Sequence, residues 1–178
     1  SMNRLKSMSE FSAARTAITD DGLKSLVGLS TLKSINLRGV ALTDSGLETI
    51  GKIPQLSFLS ADGNFTDDGI AQLKQLEQLE HLTLSADVAS NSAITTIVAH
   101  HPALVTFLTE HFNVTDDGLN PLLNLSELRV LGLADTPLTD ASVETLSQMK
   151  QLTTLIVQGT KITPDGLRRL QEALPACR

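Results

Sequence analysis

TDDGL at 19–23 returns as TDSGL at 43–47, TDDGI at 66–70 and TDDGL at 115–119. Marked by its first residue, the block falls at Thr19, Thr43, Thr66, Ser90, Thr115, Thr139 and Thr163, with steps of 24, 23, 24, 25, 24 and 24 residues. A fixed period of this size makes each copy one small unit that cannot bury its own apolar side, so that a stack of copies must share one core. Upstream of each block lies a second pattern. It is plain as Leu32-x-x-Ile35-x-Leu37, Leu79-x-x-Leu82-x-Leu84, Leu128-x-x-Leu131-x-Leu133 and Leu152-x-x-Leu155-x-Val157. It is weaker at Met8-x-x-Phe11-x-Ala13, Leu56-x-x-Leu59-x-Ala61 and Leu104-x-x-Phe107-x-Thr109.

Each copy carries two hydrophobic periods. Leu131-x-Leu133 alternates with period two, as a short strand buried on one face does. Leu119, Leu122 and Leu125 recur every third residue, as do Leu23, Leu26 and Leu29, which lays one apolar stripe along a short helix. One repeat therefore reads strand, turn, helix, turn. The whole chain, 1–178, is expected to be one domain of about seven such repeats with caps at both ends. Met2, Leu5 and Met8 continue a helical stripe that would shield the strand around Phe11, while Leu170, Leu174 and Pro175 would close the other end.

The repeated acids admit a catalytic, a recognition or a structural reading. In Thr163-Pro164-Asp165-Gly166-Leu167 a proline stands where other copies have the first Asp, and proline is favoured at the first helical position. That places Thr163, and by register the other threonines, at the N-cap, where a hydroxyl accepts from an orphan N–H. The carboxylates then sit in the first turn, where the helix dipole favours negative charge. The glycines that follow allow close approach of adjacent turns. A row of calcium sites along this edge lacks the glycine-aspartate nonapeptide that such ladders use.

LxxLxL followed by a turn and a helical LxxLxxL, at about 24 residues, resembles the leucine-rich repeat, and the resemblance spans essentially the whole chain. The T-D-x-G-L variant is similar to repeats found in bacterial proteins and to the cysteine-containing repeats of F-box substrate receptors. The cysteine of that class is replaced here by Thr16, Thr136 and Thr160, or by Val40, Asn64, Asp87 and Phe112. The resemblance implies an α/β fold, a right-handed solenoid with a curved parallel sheet on its concave side and short helices on its convex side. It also implies a role in protein interaction.

Composition narrows the alternatives. The net charge of −6 and the scatter of the 14 basic residues argue against a nucleic-acid surface. No apolar run approaches the ~20 residues that span a bilayer, and SMNRLKSM has no signal-peptide core, so no membrane contact is expected; the compartment stays open, with cytoplasm marginally favoured. Cys177 stands alone, which excludes an internal disulfide and a cysteine zinc site. His81, His100, His101 and His111 fall in different structural roles, with His100-His101-Pro102 read as a solvated loop. Catalytic residues, metal ligands and cofactors are therefore not expected, and neither is a second chain.

Function is then sought on the concave face, where strand residues flanking the buried pair point outward. Most are polar, yet Phe58, Leu108, Val130 and Ile156 are apolar, and the last three fall on the last three strands. Exposed apolar clusters mark interaction sites. Phe58, His81, Leu108, Glu110, Val130, Thr154 and Ile156 are the expected partner-binding residues, and Gly132 and Ala134 are expected to leave room for a partner side chain. The absence of Tyr and Trp disfavours sugar stacking, so a protein or peptide is the expected ligand. The alternative is a regulatory or sensing domain of a larger enzyme or receptor.

Overall fold

A computed structural model describes residues 7–178. Met2 and Leu5, assigned above to an N-terminal shield, lie outside the described residues. Seven strands form one parallel sheet in chain order: β1 (Glu10–Ser12), β2 (Ser34–Leu42), β3 (Phe58–Gly63), β4 (His81–Ser85), β5 (Thr106–Glu110), β6 (Val130–Ala134) and β7 (Thr154–Ile156). The register puts equivalent repeat positions side by side, so that Ile35, Leu59, Leu82, Phe107, Leu131 and Leu155 make one continuous row. All but Leu155 are buried, and with the helical leucines they form the shared core of an α/β leucine-rich repeat solenoid. Thr109 takes an inward position and stays satisfied there, because its hydroxyl donates to the Gly132 carbonyl at 3.1 Å.

The return segments are short helices whose pitch follows the sequence. Asp44–Ile50, Asn91–His100 and Pro164–Ala173 are α-helical. Asp116–Asn124 is a 3-10 helix containing Pro121. There the spacing of Leu119, Leu122 and Leu125 matches three residues per turn, so one side of the helix is leucine throughout and all three are buried.

The TDxG block does more than cap. The first Asp of one repeat accepts both the backbone N–H and the hydroxyl of the cap residue in the next. Asp20 holds Thr43, Asp44 holds Thr66, Asp67 holds Ser90, Asp116 holds Thr139 and Asp140 holds Thr163, at 2.5–3.2 Å. The hydroxyl spends its hydrogen on that carboxylate and keeps a lone pair for its own helix. Accordingly Thr43, Thr66, Ser90, Thr139 and Thr163 each accept from an N–H two or three residues on, at 3.2–3.3 Å. Thr115 does not cap, contrary to expectation. Asn91 stands in place of the Asp before it, and its amide donates to the Thr115 hydroxyl oxygen at 2.9 Å, taking up the acceptor that would have served the helix. Thr19 likewise makes no side-chain cap bond. The glycine of the block lies against the preceding carboxylate: a Cβ on Gly69 would collide with Asp44, and one on Gly166 with Asp140.

In five repeats the chain bends sharply at one position after the strand core. Arg15, Gly39, His111, Asp135 and Gly159 hold the same repeat position, and all have positive φ, between 54° and 74°. The residue after three of them is a threonine. Thr16, Thr136 and Thr160 each donate to the carbonyl three residues back, in Ala13, Leu133 and Val157, at 2.7–2.8 Å. The 23-residue step comes from a turn one residue shorter after β3. There the chain passes so near β2 that a Cβ on Gly63 would meet the Leu42 carbonyl at 2.5 Å and the Phe65 ring at 2.6 Å.

His101 is not in a solvated loop. It is 2% exposed, and its Nδ1 lies 3.2 Å from the Leu76 carbonyl of the preceding repeat. Gln55 and Gln151, two positions later in their repeats, donate to the equivalent carbonyls of Leu29 and Leu125, so three repeats bond to the same acceptor position of the repeat before. The 25-residue step supplies the longer helix, Asn91–His100, that precedes it. His100, one residue before, is exposed.

Candidate functional site

The open sheet face consists of three rows set by strand register. The first runs Ser34, Phe58, His81, Thr106, Val130, Thr154. The second runs Asn36, Ser60, Thr83, Leu108, Gly132, Ile156. The third contains Asp62, Ser85, Glu110 and Ala134. All seven expected binding residues lie in these rows. Residues on adjacent strands of one row are about 4.8 Å apart, so Leu108 and Ile156 stand two steps apart on either side of Gly132, with Val130 in the row beside them.

The two halves of the face differ in chemistry. Toward the C-terminal end, Ile156 is 39% exposed and Leu108 and Val130 are half-buried. Gly132 does not leave a slot for a partner side chain. A Cβ placed there would meet the Leu108 Cδ2 at 2.7 Å, so Leu108 already lies across it and widens the apolar surface instead. Beside it, on β3 and β4, the Phe58 and His81 rings stand at a tilted 43° with centroids 6.2 Å apart.

Toward the N-terminal end the face is polar and braced. Arg38 at the top of β2 reaches over β3 and β4 to β5, where its Nη2 donates to Glu110 Oε1 at 2.9 Å and to Oε2 at 3.0 Å. Three strand steps are about 14 Å, close to the combined reach of the two side chains. Asp62 sits beneath, accepting from the Gly39 N–H at 2.7 Å and facing Arg38 Nε at 3.8 Å. Ser60 is only 3% exposed and Thr83 is likewise buried, although both point to the open face. Alternation identifies Arg38, Asp62 and Glu110 as outward residues. The brace among them was missed because it joins positions 72 residues apart, which no local pattern links.

The His100 and His101 rings make their hydrogen bonds to the backbone carbonyls of Thr96 and Leu76. Among the described residues, no three of His, Cys, Asp and Glu come together as a metal site would require. Nor is any described helix long and apolar enough to cross a membrane.

No protein-family model matches the sequence, and no curated protein matches it. Among solved structures the chain is similar to internalin C2 from Listeria monocytogenes, with a TM-score of 0.64 at 20% identity over 99% of this chain and 72% of that one. At that identity the likeness is one of fold, the leucine-rich repeat solenoid.

Proposed function

We propose that the chain is a non-catalytic interaction module that binds a protein or peptide on the concave sheet face, centred on Leu108, Val130 and Ile156. The observation that carries this reading is the exposed apolar surface formed where Leu108 folds over Gly132 toward Ile156, on a face whose other half is polar and internally paired. Apolar area removed from water by a partner contributes about 25 cal/mol per Å², reduced by the entropy of association. Thr154 and Glu110 flank the patch and supply hydrogen-bonding groups at its rim, while Phe58 and His81 extend it across the sheet. A regulatory or sensing domain of a larger enzyme or receptor would use the same face, so the surface test serves both readings. Partners cross-linked to the wild-type chain are compared with those held by Leu108→Asp, Ile156→Asp and Lys24→Asp. Loss of the same partner in the first two with retention in the third, which alters the helical side, supports the concave face. Equal loss in all three overturns it.

A further inference from the structure

Arg38 passes the nearest carboxylate to reach a distant one. Asp62 Oδ1 stands 3.8 Å from Arg38 Nε, too far for a hydrogen bond, whereas Nη2 bonds both oxygens of Glu110 on β5 at 2.9 and 3.0 Å. A guanidinium matched to its carboxylate forks onto it through two nitrogens, and here one nitrogen serves both oxygens. The closed arrangement also leaves polar atoms unmet. Asp62 Oδ1, beneath the Arg38 arm, is covered yet makes no hydrogen bond with any described residue, and Ser60 Oγ on the same side of β3 is likewise buried and unpaired. A covered acceptor without a donor counts against the closed form, and a partly exposed ion pair held by two long, extended side chains gives little in return. Glu110 is therefore a counter-ion that a better-placed acceptor can replace.

Room for such an acceptor lies next to Arg38. Ala14, Arg15, Arg38, Gly39 and Asp62 line an open hollow of about 580 Å³ where the turn after β1 meets β2 and the end of β3. Arg15 brings a second guanidinium to it. That side chain is exposed and makes no salt bridge among the described residues. It is nevertheless anchored, because its backbone N–H donates to the Arg38 carbonyl at 2.8 Å and its Cγ lies across Gly39, where a Cβ would meet it at 2.9 Å. The acid on the wall, Asp62, already accepts the Gly39 N–H through Oδ2 at 2.7 Å. Two positive groups thus face one negative group that is partly satisfied, and the hollow suits an anion.

We infer that Arg38 is a charged anchor of the concave site: a carboxylate side chain of the protein partner enters the hollow, bonds Arg38 and Arg15, and draws Arg38 off Glu110. This rests on the concave face being the binding surface, and it assigns the charge that the partner brings there. In the unbound chain Glu110 competes for Arg38 and holds the anchor closed. Three strand steps of about 4.8 Å separate Arg38 from β5, so an extended partner segment crossing the sheet at about 3.3 Å per residue carries its acid about four residues from the side chain that meets Leu108.

The probe is the peptide Glu-Ser-Gly-Ser-Leu-Ser-Leu, labelled with rhodamine at its C-terminus, titrated with the full chain and read by anisotropy. Saturable binding is expected, weakened at least fivefold when the peptide Glu is replaced by Gln and by as much in the Arg38→Gln protein. Glu110→Gln should do the opposite and tighten binding at least threefold, because it removes the internal competitor. Both protein variants are checked for an unchanged circular dichroism spectrum. A purely structural brace gives its two ends effects of the same sign, so weakening by Glu110→Gln overturns the inference, as does equal binding of the Gln peptide or no saturable binding. Loss with Leu108→Asp while Arg38→Gln binds like wild type overturns the anchor and leaves the apolar site standing. Sensitivity to Arg38→Gln with none to Leu108→Asp upholds the anchor and removes the apolar centre from the binding surface.

Discussion

Asp116 and Asp117 are adjacent carboxylates in the first turn of one helix, and they do different work. Asp116 takes two hydrogen bonds from Thr139, at 2.8 and 2.7 Å, whereas Asp117 is exposed and points away from that ladder. If the acids served only the helix dipole, the two would be nearly interchangeable. The ladder instead predicts that Asp116→Ala lowers unfolding free energy by about 1–3 kcal/mol, because an N–H and a hydroxyl lose a charged acceptor, while Asp117→Ala stays within about 0.5 kcal/mol. Urea unfolding of the two variants decides it, and equal losses would return the acids to a dipole role. The same bonds hold the Asp140 carboxyl below its ordinary pKa, chiefly through the Thr163 hydroxyl and then through its backbone N–H. That contribution is present while the acid is ionised and fades as pH falls below the ordinary carboxylate range. The capping threonines were legible in the sequence because Pro164 marks the first helical position. The ladder was not legible, since it joins each Asp to a residue 22 or 23 positions on and only the stacking of turns brings the two together.

Between neighbouring elements, a second set of bonds crosses from the start of one strand approach to the helix end of the repeat before. Gln55 and Gln151 make this contact with an amide, and His101 makes it with an imidazole. The Leu76 carbonyl accepts, so Nδ1 carries the proton and the ring is neutral. Burial pushes the His101 pKa down to about 4, outweighing the backbone bond, which acts in the opposite direction. The folded pKa lies below the unfolded value of ~6.5, so stability is complete above that value and is lost as pH falls from ~6.5 toward 4. Between pH 7.5 and pH 5 this group alone should cost about 2 kcal/mol. His101→Asn, whose amide nitrogen stands where Nδ1 does, keeps a donor for the Leu76 carbonyl and removes the titration. The difference in unfolding free energy between wild type and His101→Asn should therefore move by about that amount between the two pH values, and a difference independent of pH would refute the buried neutral ring. At this scale most of the repeat was readable from its apolar periods. Strand positions followed from alternation, and helix faces followed from the leucine spacing. The misread element was the His100-His101-Pro102 turn, where one added residue extends the helix and carries the second histidine inward. Polarity alone gave no sign of that, because a histidine satisfied by a carbonyl and a solvated one look alike in sequence.

Taken whole, the molecule is a one-dimensional stack in which the strands pair in chain order from β1 to β7 and each repeat leans on its neighbours. That order was legible, since seven copies of one pattern admit little else. The thin cover of the last described repeat and the Arg38–Glu110 brace were not. A repeat's own residues do not say whether a neighbour covers them, and the brace depends on where side chains meet above the face. Both features bear on local stability. The brace ties β2 to β5 through groups that are partly exposed, so it contributes at most about 1 kcal/mol. The stronger gradient comes from burial. In β4 and β5, Leu82, Leu84 and Phe107 are fully buried with a repeat on either side, whereas in the last repeat Leu155 and Val157 are half-covered and Ile162 is 9% exposed. In a solenoid an end repeat loses one of its two stabilising interfaces, so it opens at lower free energy than the middle. Amide hydrogen exchange under native conditions should therefore show protection highest in β4 and β5 and falling through β6 to β7 and the Pro164–Ala173 helix. Protection at β7 equal to that at β5 would show that the last repeat is held by something other than its inner neighbour.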